Sequence, residues 1–121
     1  MNATPVSRTK QSLTLVGRLM LIEAVTFAIA SILHLGISET FIAAAIPEAI
    51  IAVVLAAGAL AVMRRGSRWL GLATTIFALA GVIIGLSVII GGSVSRPIDL
   101  AYHATIFVAL VVTVVLLLRF R

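Results

Sequence analysis

WLGLATTIFALAGVIIGLSVIIG, residues 69–91, carries no charged side chain from end to end. A helix rises 1.5 Å per residue, so about 20 apolar residues cross a hydrocarbon layer of about 30 Å. This stretch is long enough and has no alternation of polar and apolar positions, which predicts a membrane-spanning helix and not a barrel strand. Outward from it lie three further runs of the same kind, about Leu13–Leu35, Phe41–Met63 and Ile98–Leu118. The four leave only short tails and loops among 121 residues. With 62% hydrophobic and 11% charged residues, and a mean hydropathy of +1.27, the chain reads as one integral membrane domain, 1–121.

Stops separate the runs. Gly36 and Ser38 end the first, Arg64-Arg65-Gly66-Ser67 the second, and Gly91-Gly92-Ser93 with Ser95-Arg96-Pro97 the third. Connections this short make each helix antiparallel to the one before. The expected fold is all-α, an up-down four-helix transmembrane bundle. Pro47 leaves two starts open for the second helix. Either it begins near Ser38 and bends at the proline, or it begins near Ile46 with the proline in its first turn. The bent full-length helix spans the layer better and is the expectation.

Basic residues set the orientation. Arg8, Lys10, Arg18, Arg64, Arg65, Arg68, Arg119 and Arg121 fall on one side of this topology and Arg96 alone on the other. The positive-inside rule then puts both termini in the cytoplasm (N-in, C-in), and a bacterial inner membrane is the expected location. A net charge of +5 placed this way suits anionic lipid headgroups, and no nucleic-acid partner is expected. Ala28-Ile29-Ala30 before Ser31 imitates a signal-peptide cleavage site, but Arg18 and Glu23 interrupt the apolar stretch ahead of it. The absence of cysteine excludes disulfides, thiolate metal sites and thiol catalysis.

The informative residues are the few ionisable ones inside the runs: Glu23, His34, Glu48, Asp99 and His103. Such groups normally face the bundle interior, pair with one another and mark a functional site. His34 closes the first span, Asp99 opens the fourth, and His103 follows one turn later on the same face. Glu48 lies at a depth close to that of His103. Helices one, two and four can therefore turn these four side chains toward one outer-leaflet cavity. Imidazole with carboxylate suits a transition metal, so His34, Glu48, Asp99 and His103 form a candidate metal set. His34 and His103 are also candidate axial ligands of a haem. Against these stands a purely structural account: Asp99 as helix cap, His34 at its helix end, and a Glu48–His103 hydrogen bond that fixes packing.

Glu23 lies about 16 Å deeper than His34 and only about 20° around the helix from it. It is the candidate proton-relay group. Four spans and a first-span glutamate resemble the small multidrug-resistance transporters, which work as dimers, although seven aromatics is few for such a cavity. Gly81 and Gly85 form a GxxxG pair for close helix packing, against another span or another copy. Ala44, Ala52 and Ala56 give the second span a similar face. Trp69 and Tyr102 are expected as interfacial anchors, and Ser31 and Ser87 as packing residues.

His34-Leu35-Gly36, Pro47-Glu48 with small residues on to Gly58, Arg64-Arg65, and Asp99-Leu100-Ala101-Tyr102-His103 follow in the order found in small four-span proteins of unknown function from high-GC bacteria. The second-span glutamate followed by a glycine near the cytoplasmic end is similar to the DoxX-like membrane proteins. That resemblance implies a redox or accessory role, and the Asp99–His103 element stands outside it. No phosphate loop, zincin pair or nucleophile elbow occurs. The leading expectation is a non-enzymatic binding or accessory protein that docks in a larger membrane complex. A proton-coupled homodimeric carrier centred on Glu23 comes second, and a membrane-embedded metal oxidoreductase third.

Overall fold

The computed structural model describes residues 5–36, 42–92 and 97–120. Four helices follow one another: α1 Pro5–His34, α2 Ile42–Arg65, α3 Arg68–Gly91 and α4 Pro97–Arg119. Each is long and apolar enough to cross a membrane. Neighbours in sequence are neighbours in space, and α4 returns to pack on α1. The expected all-α four-helix bundle is the observed one. Ser38, Phe41, Ser93, Ser95, Arg96 and Arg121 lie outside the described residues.

One boundary differs from the sequence reading, and one open choice is resolved. α1 starts about two turns before Leu13. Pro5 suits a first helical position, and Arg8, Lys10 and Gln11 are good helix formers with no breaker among them. Hydropathy marks where a helix enters lipid, and this one begins before that. α2 runs through Pro47 from Ile42, so the full-length alternative holds, and the proline lies inside the helix.

A seven-residue rhythm decides which side faces in. Buried positions fall at Val16, Met20, Glu23, Phe27, Ala30 and His34 on α1, and at Ala45, Glu48, Ala52, Leu55, Ala59 and Val62 on α2. Gly71, Thr75, Ala78 and Val82 continue the pattern on α3, and Ile106, Leu110, Thr113 and Leu117 on α4. Steps of three and four alternate throughout, the spacing of a left-handed knobs-into-holes seam. Extending the α4 seam backward by steps of three and four gives His103 and then Asp99. All five acidic and imidazole residues of the spans thus stand on the inward stripes, whereas Arg18, also within the first run, is exposed. The outward stripes carry Ile22, Val25, Ile29, Val53, Ile76, Ile84, Val108 and Val115, all exposed and apolar, as lipid contact requires.

Glycines let the helices close up. A β-carbon on Gly58 would collide with the Thr74 side chain of α3, one on Gly71 with Val62 of α2, and one on Gly17 with Met63. The α2–α3 turn depends on Gly66, whose φ of +64° is left-handed. Its amide and that of Ser67 donate to the carbonyls of Val62 and Ala61, satisfying the end of α2. Every described basic residue lies toward this end of the bundle or on the first turns of α1, away from His34 and Asp99.

Gly58→Ala is expected to destabilise the bundle by about 1–3 kcal/mol, because Thr74 is β-branched and already hydrogen-bonded to its own helix. Gly91→Ala, where a β-carbon meets open space, should be neutral or slightly stabilising. Unfolding titrations in mixed micelles check both.

Candidate functional site

The end of the bundle opposite the arginines collects His34 from the last turn of α1, Glu48 from α2, and Asp99 and His103 from the first turns of α4. His34 Nδ1 and Glu48 Oε2 are 2.7 Å apart, a short bond between side chains 8% and 5% exposed. On its other edge, His34 Nε2 lies 3.7 Å from Asp99 Oδ1. That is within ion-pair range but beyond a good hydrogen bond. One imidazole therefore sits between two carboxyl groups from two other helices. Doubly protonated, it would offset one of their charges.

A second hydrogen bond helps to lock α1 against α2. Ser31 donates its hydroxyl to the carbonyl of Ala45 at 2.7 Å, three residues before Glu48. The neighbouring bond and the His34–Glu48 contact together fix the register of α1 on α2. Both donors come from one turn of α1.

His103 takes a different partner from the one expected. Its Nδ1 is 2.8 Å from the backbone carbonyl of Asp99, one turn back on its own helix, so Nδ1 carries the proton and donates. The expected Glu48–His103 bond gives way to His34–Glu48, because His34 reaches Glu48 first from the more tightly packed α1–α2 pair. The His103 ring fits where it does because Gly85 has no side chain: a β-carbon there would lie 2.6 Å from His103 Nε2. Gly81, one turn away, receives the end of Ile51 in the same manner. The GxxxG pair thus meets other spans of its own chain, α2 and α4.

These groups wall one side of a cavity of about 400 Å³. Its other walls are apolar, with Phe27 among them, and Ala43, Ala44 and Pro47 of α2 facing Ile84, Val88 and Ile89 of α3. Ala43, Pro47, Ile84 and Val88 are exposed, so the mouth opens sideways between α2 and α3, toward lipid. Glu48 Oε1 is fully buried and has no hydrogen-bond partner among the described residues. The Tyr102 hydroxyl is in the same condition. Tyr102 corrects the anchor reading. Its ring stands edge-on to Phe27 at 6.3 Å and to His103 at 5.0 Å, and its hydroxyl is buried, not set among headgroups. Trp69 is 65% exposed beneath the Arg68 guanidinium, a position suited to an interface.

Glu23 does not join this group. It is 2% exposed, below Phe27, and accepts a 2.7 Å hydrogen bond from Thr113 of α4. Its other oxygen, Oε2, has no partner among the described residues. Thr113 is the residue that sequence reasoning missed, although a signal exists: it is the single polar side chain in 108–118. Among the described residues no group of three or more His, Asp or Glu side chains is placed to hold a metal ion. His34, Glu48, Asp99 and His103 line one cavity, and each imidazole has Nδ1 in a hydrogen bond, which leaves Nε2 as the nitrogen it could offer a ligand.

Fold and site together define a small multi-pass α-helical membrane protein with a largely apolar cavity, carrying a few polar groups, at one end. The chain matches no family model, no curated protein and no solved structure. The DoxX-like resemblance accordingly rests on its short motifs alone.

A double-mutant cycle on His34 and Glu48 should return a coupling of about 1–3 kcal/mol. His34→Ala alone should cost more than that, about 3–5 kcal/mol, by stranding a buried carboxylate. Replacing both with leucine should recover most of the loss. The same unfolding titration reads all three.

Proposed function

We propose that this protein is a non-enzymatic binding protein of a bacterial inner membrane. Both termini lie in the cytoplasm and the His34–Glu48–Asp99–His103 cavity opens in the outer leaflet. One observation carries the reading: a cavity of about 400 Å³ with apolar walls and a few convergent polar groups, one of which keeps a buried oxygen unpartnered. That combination is how small-molecule sites are built. Retaining such an oxygen in hydrocarbon without a ligand or water would cost several kcal/mol. The orientation draws on the basic residues, Arg8, Lys10, Arg18, Arg64, Arg65, Arg68 and Arg119, all remote from the cavity.

The mostly apolar lining, and the lack among the described residues of three or more His, Asp or Glu placed to hold a metal ion, favour a small organic occupant over a metal ion or haem. Native mass spectrometry of protein released from its own membrane is expected to show a bound small molecule. Ala44→Phe, which fills the cavity without altering its polar groups, should remove it. Stoichiometric transition metal by elemental analysis, or a Soret band, would overturn this choice and favour a metal-bearing accessory or redox subunit.

A second reading draws on Glu23. Its unpartnered Oε2 in the middle of the span is the arrangement expected of a carboxyl that takes up and releases a proton. In that reading the chain is a proton-coupled carrier, working as a homodimer. Glu23→Gln should then abolish proton flux in liposomes while leaving the bundle folded. Unchanged flux removes it.

A further inference from the structure

We propose that the groove between the start of α1 and the end of α2 holds the headgroup of an anionic phospholipid, and holds one with two phosphate groups better than one with a single phosphate. This site lies at the opposite end of the bundle from the His34–Glu48 cavity and does not depend on it.

The groove encloses about 460 Å³ and is lined by Val6, Lys10 and Leu13 of α1 and by Met63, Arg64 and Arg65 of α2. Lys10, Arg64 and Arg65 are exposed, and among the described residues none of them forms an ion pair.

The sequence itself shows that no acid can compensate them. The chain has four acidic side chains, Glu23, Glu39, Glu48 and Asp99. Glu23 is about 20 Å along α1 from Lys10 and is bonded to Thr113. Glu48 and Asp99 flank His34 at the far end. Glu39 is tethered just before Ile42, which stands about 33 Å along α2 from Arg64. Three residues at about 3.6 Å each cannot bridge that gap. A carboxylate following Arg121 would meet Arg119 and Arg121 first. The helix ends add about half a charge each, positive from α1 and negative from α2, and so cancel. Three cations in one groove are left without a counterion from the protein, so the fitting occupant is an anion.

Position in the membrane makes that anion a lipid. Lys10 lies about one turn before Leu13, where the apolar run of α1 starts, and Arg64 follows Met63, where that of α2 stops. The groove therefore crosses from hydrocarbon to headgroups, with Leu13 and Met63 on one side and the three cations on the other. An anionic head on an apolar chain meets both parts, whereas free phosphate meets one. Planar guanidinium donors match phosphate oxygens in pairs, and the lysine ammonium adds a point charge. Two phosphate groups neutralise more of three cations than one does. The part of α1 that runs on before Leu13 thereby gains a task, since it carries Lys10 to the headgroup level.

Three lipids with the same dioleoyl chains test the proposal: phosphatidylcholine, phosphatidylinositol and phosphatidylinositol monophosphate. Each is titrated into the full chain in neutral detergent, and native mass spectrometry counts the lipid bound. Affinity is expected to rise by about fivefold from the first lipid to the second and again to the third. Lys10→Gln/Arg64→Gln/Arg65→Gln should weaken binding of the monophosphate by about tenfold or more. Arg8→Gln/Arg68→Gln/Arg119→Gln removes the same charge outside the groove and should weaken it by less than about threefold. Lys10→Gln alone keeps both arginines of α2 and should cost about fivefold, which preserves the test if the triple variant fails to insert. Equal losses in the two triple variants would overturn the groove in favour of diffuse surface charge. Equal affinity for the two inositol lipids would overturn the two-phosphate preference. Inorganic pyrophosphate that binds as tightly as the monophosphate lipid would overturn the lipid and assign the groove to a soluble phosphate compound. Phosphatidylcholine binding as well as the anionic lipids would overturn the proposal outright.

Discussion

A polar atom left unpaired in hydrocarbon costs several kcal/mol, because no water is at hand to replace the lost partner. This penalty organises the molecule more than apolar burial does, since lipid tails are as apolar as leucine and reward no helix for hiding its valines. The apolar residues are accordingly spread over both faces of every helix. What the seams share is their polar content: Glu23, His34, Glu48, Thr75, Asp99, His103 and Thr113 all take inward positions. Folding here amounts to giving those groups partners across helices, with glycine and alanine allowing the backbones to come near enough.

The partners differ in kind along the bundle. At the arginine end, Gly17, Gly58 and Gly71 bring α1, α2 and α3 into contact through side chains alone. In the middle, Glu23 and Thr113 tie α1 to α4 by one hydrogen bond. At the far end, Ser31, His34 and Glu48 join α1 to α2 so tightly that the remaining polar groups of α4 are held beside them and not between them. The cavity is the space left over. Tight α1–α2 registry and a small-residue face on α3 at Gly81 and Gly85 together leave a mostly apolar hollow, edged by polar groups, that packing does not fill.

Much of this was legible in the chain. Run length and the lack of breakers gave four spans and their antiparallel order. The i, i+4 spacing of Asp99 and His103 placed both on one face, and the depth argument brought them to the level of His34 and Glu48. Pairing was less legible. Depth alone could not choose between His34 and His103 as partner for Glu48, because the choice turns on which helices pack closest. Thr113 escaped notice because a lone threonine in a valine-rich helix looks like packing until the glutamate opposite is seen. Tyr102 deceived for the opposite reason: a tyrosine near a span end usually anchors at headgroups, and only the Phe27 contact shows it turned inward. The early start of α1 was hidden because hydropathy marks the membrane boundary and not the helix boundary.

The central claim is that His34 of α1 and Glu48 of α2 pair with each other inside the lipid bilayer. Solid-state NMR of the protein in bilayers, with labelled histidine nitrogens and glutamate carboxyl carbons, tests it most directly. The account predicts a strong dipolar coupling between His34 Nδ1 and the Glu48 carboxyl, consistent with the 2.7 Å contact, and none to Glu23. A His34 ring that couples to water or headgroup protons and to no glutamate carboxyl would contradict it.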